Sequence, residues 1–448
     1  MLLPLRRPPE RLVDVVEPDL GLPAVRRAHD GIPMVSSTAS GPSVVAGTRL
    51  VKICSMVTQR PLRSQLTPPG ESALCTMHTA RKGCQGLSSP TRVGTAVQEE
   101  GRMEAIGARP LVGVRSLGGT VAMASPGTSA GAAPQLDAAA LVAAVPAILD
   151  VASVDARSLC NIPSASLEFD QLLEYVDDLE STCRAGEHGV VVTLGTDTME
   201  EVAYLFDLLW SRPEPLVLTG AMRPADAPGA DGPANLLAAV TVAASPSAAD
   251  RGVLVVMNDE IHAARTVGKR HTTSTAAFSS TAPGPVGRVH EGVAQFSIPP
   301  PHRDVLRLPA TVKPPRVALV RIGLGDDTVL LERAVEAYDG IVVEAFGGGH
   351  VPAWWTEPLI TAAQRLPTVL ASRTGSGPLL RSTYDFPGSE RRLLASGLIS
   401  AGSLDGLKAR ILLTVALMVT RETHQLAQTF QRHGECQARL PRDRGECR

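Results

Sequence analysis

Short, continuous apolar runs separated by helical stretches constrain the fold of this chain more than any other feature. The runs are rich in Val and Leu, are bounded by Gly or Asp, and lie at residues 111–114, 190–193, 215–219, 252–257, 317–322, 340–346 and 368–372. Uninterrupted apolar character is typical of strands that are buried on both faces, as in a parallel sheet. The pattern therefore predicts a doubly wound α/β protein, in which helices alternate with mostly parallel strands.

The clearest helical stretch spans residues 199–210, where apolar side chains recur at the spacing of one helix face. Just before it, Asp197 with Glu200, or Thr198 with Glu201, matches the pattern of a capping box. The sequence therefore predicts that a helix begins here and that one of these pairs caps its N-terminus.

A proline-rich segment, residues 297–315, divides the patterned part of the chain. Proline cannot serve in a central strand and favours extended geometry in the residue before it, so this segment is predicted to be a linker. It separates a larger N-terminal domain, residues 109–296, from a smaller C-terminal α/β domain, residues 316–428. Residues 429–448 have no apolar face and are predicted to be a frayed tail.

Residues 1–108 differ from the rest of the chain in composition. They contain no aromatic residue, since the first one in the sequence is Phe169, and no apolar period persists in them. Such a segment buries too little apolar surface to offset the entropy lost on ordering it. It is predicted to be a low-complexity, disordered leader.

Charge and cysteine content exclude several classes of function. The chain has 43 Lys and Arg residues against 45 Asp and Glu residues. It therefore lacks an overall basic field that would attract nucleic acid or an anionic membrane surface. No apolar run reaches the length of a membrane-spanning helix, and the first residues lack the apolar stretch of a secretory signal. Seven cysteines without zinc-site spacing favour free thiols in a reducing compartment. The predicted location is therefore the cytoplasm.

Polar side chains follow the predicted strands at the edge where α/β sheets bind ligands. A Gly-Gly-Thr turn ending at Thr120 follows the first run, Thr196 and Asp197 follow the second, and Lys269 follows the fourth. Chemistry at an amide carbonyl needs a nucleophile, a group that takes its proton and donors for the oxyanion. These residues supply such a set, although each alone is also explained as a turn, a helix cap or a solvated lysine.

The order of five motifs resembles that of the bacterial-type L-asparaginases. The motifs are GGTVAM from residue 118, VVTLGTDTMEE from residue 191, PLVLTGAMRPADAPGADGPANL, GVLVVMNDEIHAAR, and KRHTTSTAAFSS from residue 269. The resemblance covers about residues 111–418 and leaves out the leader. It implies a larger N-terminal domain with a mostly parallel sheet, a smaller C-terminal α/β domain, and no metal or organic cofactor.

The resemblance also implies roles for individual residues. Thr120 matches the threonine that attacks the side-chain amide carbon to give an acyl-enzyme, and Thr196 matches the second threonine, which binds a water or the carbonyl. Lys269 matches the lysine that is hydrogen-bonded to that second threonine. Asp197 matches the carboxylate that holds the α-ammonium of the substrate, and Ser164 is similar to the serine that binds the α-carboxylate.

Several positions depart from the family's pattern. The loop at residues 124–135 has no tyrosine, whereas the family usually has an activating tyrosine there. Leu117 stands where threonine is common, Leu194 where histidine or glutamine is usual, and Ala165 where a glutamine is expected. The small, glycine-rich loop is expected to stay mobile, and Thr120 would need another route of activation.

The resemblance further implies an oligomer, because active sites in this family form between adjacent subunits of a dimer that commonly pairs into a tetramer. His350 stands where the family often has an asparagine that reaches into the neighbouring site. Residues 381–386 lack the pattern around the family's inter-subunit glutamate. A homo-oligomer, dimer or tetramer, is still predicted.

Three functions follow from these observations. The leading hypothesis is an L-asparagine amidohydrolase that gives L-aspartate and ammonia, with the size of the pocket deciding whether L-glutamine is also a substrate. A second is a subunit of a tRNA-dependent amidotransferase with the same amidase chemistry, which would need a partner and an extra N-terminal domain. A third is a non-catalytic amino-acid binding protein on the same scaffold.

Overall fold

Strands and helices alternate along the chain, as the apolar runs predict. The structure is a computed structural model that describes residues 109–124, 133–134, 136–309 and 313–435, all within one compact unit. The strands are β1 (Leu111–Ser116), β2 (Met123–Ala124), β3 (Ala133–Pro134), β4 (Ser153–Ser158), β5 (Gly189–Thr193), β6 (Leu216–Thr219), β7 (Val253–Met257), β8 (Glu260–Ala263), β9 (Val267–Lys269), β10 (Phe278–Ser280), β11 (Gly287–His290), β12 (Val293–Phe296), β13 (Val317–Arg321), β14 (Gly340–Ala345), β15 (Thr368–Ser372) and β16 (Ile399–Ser400). The α-helices are α1 (Ala138–Ala143), α2 (Ile148–Val151), α3 (Phe169–Arg184), α4 (Met199–Leu209), α5 (Gly232–Ala243), α6 (Val329–Ala337), α7 (Thr356–Arg365), α8 (Glu390–Ala395), α9 (Gly406–Val419) and α10 (Thr423–Gly434).

The larger sheet has the strand order β12-β11-β8-β7-β6-β5-β1-β4. Its strands β4, β1, β5, β6 and β7 are mutually parallel, and an antiparallel extension of β8, β11 and β12 completes one edge. Every residue of β5, β6 and β7 is buried. The prediction of mostly parallel strands buried on both faces is confirmed.

Helices cover both faces of this sheet. α3 and α4 pack on the face that carries Val190 and Val192, whereas α5 packs on the opposite face against Val191 and Val217. Since successive side chains of a strand point to opposite faces, both faces must be apolar, which accounts for the continuous apolar run of β5.

The smaller sheet, β13-β14-β15-β16, is parallel throughout and belongs to the C-terminal part of the chain. One of its faces packs on α9, and the other packs on α6 and α7. α9 is buried along most of its length and shares one apolar cluster with α4 of the first domain. A helix that is apolar around its circumference must be covered on all sides, so α9 joins the two domains in one continuous core.

The predicted linker contains neither helix nor strand at residues 297–309 and 313–315, but it is fastened to the end of α4. Arg303 Nη2 donates to the Trp210 carbonyl at 2.6 Å, and the Leu306 amide donates to the Leu208 carbonyl at 2.8 Å. The linker therefore packs against the first domain over part of its length.

The last helix extends beyond the predicted end of the C-terminal domain. α10 continues past residue 428 and buries Phe430, so the packed part of the chain reaches further than the predicted C-terminal limit.

The described cysteines are free, as the sequence predicts for these two. Cys160 and Cys183 carry free thiols, and burial raises the pKa of Cys183 to about 12. The other cysteines and the predicted leader, residues 1–108, lie outside the described residues. Among the helices that the structure describes, none is long and apolar enough to cross a membrane.

Two histidines are buried among the residues that the structure describes. His262 is fully buried with its Nδ1 3.0 Å from Ser280 Oγ, and His433 is buried in α10. Burial, assisted by the Arg288 guanidinium, lowers the pKa of His262 to about 4. Burial likewise lowers the pKa of His433 to about 4, assisted by Arg265. Both imidazoles are therefore neutral in the folded chain at pH 7.

These histidines predict a loss of stability on acidification. Their pKa in the unfolded chain is about 6.5. Between that value and about 4 the unfolded state binds more protons, so the free energy of unfolding falls as the pH falls through this window. Urea unfolding measured from pH 7.5 to pH 4.5 should show a weaker pH dependence in His262→Gln and in His433→Gln than in the wild type. The exposed His290 offers a control, because His290→Gln should keep the wild-type pH dependence. Equal slopes in all four proteins would contradict the prediction.

Candidate active site

A glycine turn after β1 brings Thr120 to the carboxyl edge of the larger sheet. Gly118 and Gly119 have φ values of 93° and 85°, which side chains rarely adopt. A Cβ atom on Gly119 would lie 2.1 Å from the backbone nitrogen of Gly195. Only glycine therefore allows this turn to pack on the loop after β5, and Thr120 follows directly in a short 3-10 helix, Thr120–Ala122.

The loop after β5 lies in turn against Ser164. A Cβ atom on Gly195 would lie 2.7 Å from Ser164 Oγ, and Thr198 Oγ1 donates to the Ser164 carbonyl at 3.0 Å. Ser164 is buried, yet its hydroxyl has no hydrogen-bond partner among the residues that the structure describes. An unpaired buried hydroxyl is costly, so a polar group of a ligand is a suitable partner for it.

Lys269, the last residue of β9, reaches the same loop. Its Nζ donates to Thr196 Oγ1 at 2.9 Å and to Asp197 Oδ1 at 2.7 Å. Because the ammonium donates to Thr196, the threonine keeps its own hydrogen for a second acceptor. Thr196 is buried, whereas the Asp197 side chain is 71% exposed. The site thus combines a buried hydroxyl, that of Thr196, with an exposed carboxylate, that of Asp197.

The predicted capping box is wrong, because the side chains of its residues contact tertiary partners instead. Thr198 is the residue at the N-cap of α4, but no side chain caps the helix. Thr198 donates to Ser164, Asp197 accepts from the Lys269 ammonium, and Glu200 Oε1 accepts from the Lys269 amide at 3.3 Å. The sequence correctly predicts where α4 begins, but the polar side chains at its start bond to distant residues rather than to the helix backbone.

Lys269 contacts Thr196 and Asp197 directly. Ser164 packs on Gly195, and Thr120 directly follows Gly119, which also packs on Gly195. The roles given to them by resemblance stay predictions.

The departures from the family's pattern have different outcomes. Leu117 and Leu194 are both buried in the core, so leucine serves packing at those positions. Ala165 is exposed. Most of the glycine-rich loop, residues 125–132 and 135, lies outside the described residues, and so does the prediction about its mobility.

Sequence reasoning missed two buried charged residues that adjoin the site. Glu200 contacts the Lys269 backbone, and Lys408 of α9 donates to Glu200 Oε2 at 3.5 Å. A lysine in a mostly apolar helix was the available signal for Lys408. Its partners are distant in the sequence, and no local pattern identifies them.

A second polar cluster lies in the C-terminal domain around Glu390. His350 Nε2 lies 3.1 Å from Glu390 Oε2, and the amides of Thr383 and Tyr384 donate to Glu390 Oε1 at 2.9 Å. The rings of Tyr384 and Phe386 contact His350 edge-on and are themselves exposed. Residues 381–386, which lack the family's pattern, thus form an exposed aromatic patch held by a buried carboxylate.

Within the described ranges, His, Cys, Asp and Glu side chains form no group of three or more that could hold a metal ion. The expectation that the reaction needs no cofactor stays a prediction.

The fold has two α/β domains, and threonine, aspartate and lysine side chains meet at the edge of its parallel sheet. Comparison with known sequences identifies the family of proteins that has these features. Residues 111–301 match the family described as asparaginase, N-terminal, and residues 316–430 match the glutaminase/asparaginase C-terminal domain. The chain belongs to the asparaginase family. The resemblance inferred from the motifs is confirmed.

Individual relatives cover most of the same region. The chain is 35% identical over 298 residues to L-asparaginase 2 of Escherichia coli strain K12, which spans 65% of this chain and 84% of the relative. It is 36% identical over 329 residues to a probable L-asparaginase of Deinococcus radiodurans, covering 72% and 97% of the two chains. It is 33% identical over 329 residues to a protein of Haemophilus influenzae named probable L-asparaginase periplasmic, covering 72% and 93%.

Proposed function

We propose that this protein hydrolyses the side-chain amide of L-asparagine to L-aspartate and ammonia through a threonine acyl-enzyme. The observation that carries the proposal is the pair of hydrogen bonds from Lys269 Nζ to Thr196 and Asp197, next to the glycine turn that presents Thr120. Membership of the asparaginase family and relatives named L-asparaginase support the same substrate.

The charges of the site suit a free amino acid. The open carboxylate of Asp197 can accept from the α-ammonium of the substrate, and the unpaired hydroxyl of Ser164 can donate to its α-carboxylate. These contacts leave the amide end of the substrate to the threonines. Binding energy from the two charged ends would then hold the amide carbon for attack.

The reaction has two steps in this proposal. Thr120 Oγ attacks the side-chain amide carbon, the bond from carbon to nitrogen breaks, and ammonia leaves with the proton that Thr120 gives up. Water then attacks the ester, which releases L-aspartate and returns a proton to Thr120 Oγ. Because Lys269 donates to Thr196, the Thr196 hydroxyl can donate to the developing oxyanion or orient the water.

The catalytic roles are tested by removing the polar atoms of the second threonine and the lysine. Thr196→Ala and Lys269→Met should each lower kcat for ammonia release from L-asparagine by about a hundredfold or more, because each removes a group that stabilises the developing charge. A coupled ammonia assay against L-asparagine, L-glutamine and D-asparagine measures both the rates and the substrate preference.

Two exposed residues of the same types provide matched controls. Thr272→Ala and Lys313→Met should keep wild-type rates. Wild-type rates in Thr196→Ala and Lys269→Met would refute the assigned roles. A wild type that binds L-aspartate in isothermal titration but releases no ammonia would favour the non-catalytic alternative.

Binding of the substrate carboxylate is tested in the 3-10 helix Ser164–Ser166, which offers two serines in different environments. Ser164→Ala should weaken L-aspartate binding by about tenfold or more, because a hydrogen bond to a charged group contributes about 1.5–3 kcal/mol. Ser166 is exposed, so Ser166→Ala should bind L-aspartate as the wild type does. Isothermal titration gives both values, and equal affinities would exclude Ser164 from the binding site.

We also propose that the protein is a homo-oligomer, as the resemblance implies. The exposed aromatic patch of Tyr384 and Phe386 supports this, because clustered exposed aromatic side chains are typical of interfaces. Sedimentation velocity should give a dimer or tetramer for the wild type and a smaller species for the double variant Tyr384→Ser and Phe386→Ser. A monomeric wild type would contradict the proposal.

The cytoplasmic location stays a proposal of the same kind, supported by the cysteine content of the sequence. One relative is named periplasmic, so fractionation of the source cells is the measurement that decides it.

A further inference from the structure

A buried ammonium group from the C-terminal domain lies directly behind the candidate active site. Lys408, in the first turn of α9, is only 1% exposed. Its Nζ donates to the Val267 carbonyl at 2.8 Å, to Asp405 Oδ2 at 3.1 Å and to Glu200 Oε2 at 3.5 Å. A buried charge is tolerated only when it is paired and hydrogen-bonded, so these acceptors fix the ammonium in place.

Glu200 connects this ammonium to the catalytic lysine. Its carboxylate is buried at the start of α4, with Oε2 toward Lys408 and Oε1 accepting from the Lys269 amide. The two oxygens therefore hold residues from two different elements at once. Removing the charge of Lys408 would leave Glu200 without this neighbouring cation.

The short strand β9 is held at both of its ends by these contacts. Lys408 binds the carbonyl of Val267 at the start of the strand, and Glu200 binds the amide of Lys269 at its end. β9 otherwise pairs with β10 along one edge. Since the backbone of Lys269 is fixed relative to α4, its Nζ is directed to Thr196, three residues before Met199, where α4 begins.

We propose that Lys408 is a positioning residue for the catalytic Lys269 and that it acts through Glu200 and the backbone of β9. The inference rests on the proposed function, because it gives Lys269 a role in catalysis. It assigns completion of the first domain's site to a side chain of the second domain. Lys408 itself touches neither Thr196 nor Asp197 in its hydrogen bonds among the described residues.

The same two helices carry a second ion pair that serves as a matched control. Arg410 Nη1 of α9 lies 3.7 Å from Glu201 Oε2 of α4, and Arg410 Nε donates to the Val317 carbonyl. Both pairs join α4 to α9, but Arg410 makes no such contact with β9 in the described structure. Removing Arg410 therefore tests the effect of weakening the interface alone.

The experiment compares Lys408→Met, Glu200→Gln and Arg410→Met in the full chain. In Lys408→Met, kcat for L-asparagine should fall about tenfold to a hundredfold, as expected for a displaced catalytic group, while KM stays within about twofold. Glu200→Gln should also lower kcat, and the double variant should lose less than the product of the two single effects. Arg410→Met should keep the wild-type kcat.

Hydrogen exchange of a peptide covering residues 267–269 gives a readout that does not depend on activity. The amide protection of this peptide should fall in Lys408→Met and stay at the wild-type level in Arg410→Met. Unchanged protection in Lys408→Met, or an equal loss in both variants, would overturn the inference. A wild type that releases no ammonia would refute the proposed function, and the exchange data would still decide whether Lys408 positions β9. Thermal melting of each variant identifies any that fails to fold, and Glu200→Gln, which preserves side-chain size, then carries the test.

Discussion

Burial of the Lys408 ammonium is the constraint on which the arrangement of the site depends. A charge in an apolar interface needs acceptors, and this one obtains them from α4, from β9 and from the N-cap of its own helix. The apolar surface around it, shared by α4 and α9, brings the two domains together, but apolar contacts do not fix the exact position of one helix along the other. The polar contacts fix that position, and through Glu200 they also position Lys269.

Much of the fold follows from the sequence because its signals are local. Continuous Val and Leu runs are typical of strands buried on both faces, and β5, β7 and β14 lie where the runs predict. The site residues were also predictable in outline, since parallel strands bring their carboxyl ends to one edge of a sheet. The resemblance to a known family supplied the individual roles of Thr120 and Ser164, which residue types alone left open.

The remaining features depend on partners that are distant along the chain. The pairing of Thr198 with Ser164 displaced the predicted helix cap, because both residue types also hydrogen-bond well to tertiary neighbours. Lys408 gave no local signal beyond its charge in a mostly apolar helix, and its contact with β9 is visible only in the structure. The limit predicted at residue 428 fell short because α10 is mostly polar, and its few apolar residues, which include Phe430, show no clear apolar face in the sequence.

The dependence of Lys269 on α9 has a consequence for how the protein matures. Synthesis proceeds from the N-terminus, so β9 and α4 leave the ribosome well before α9 does. Until α9 is made, the apolar surface of α4 lacks its cover and Glu200 lacks the ammonium of Lys408. Nascent and prematurely terminated chains would therefore be inert and open to chaperones and proteases, and hydrolytic competence would be acquired only near the end of translation.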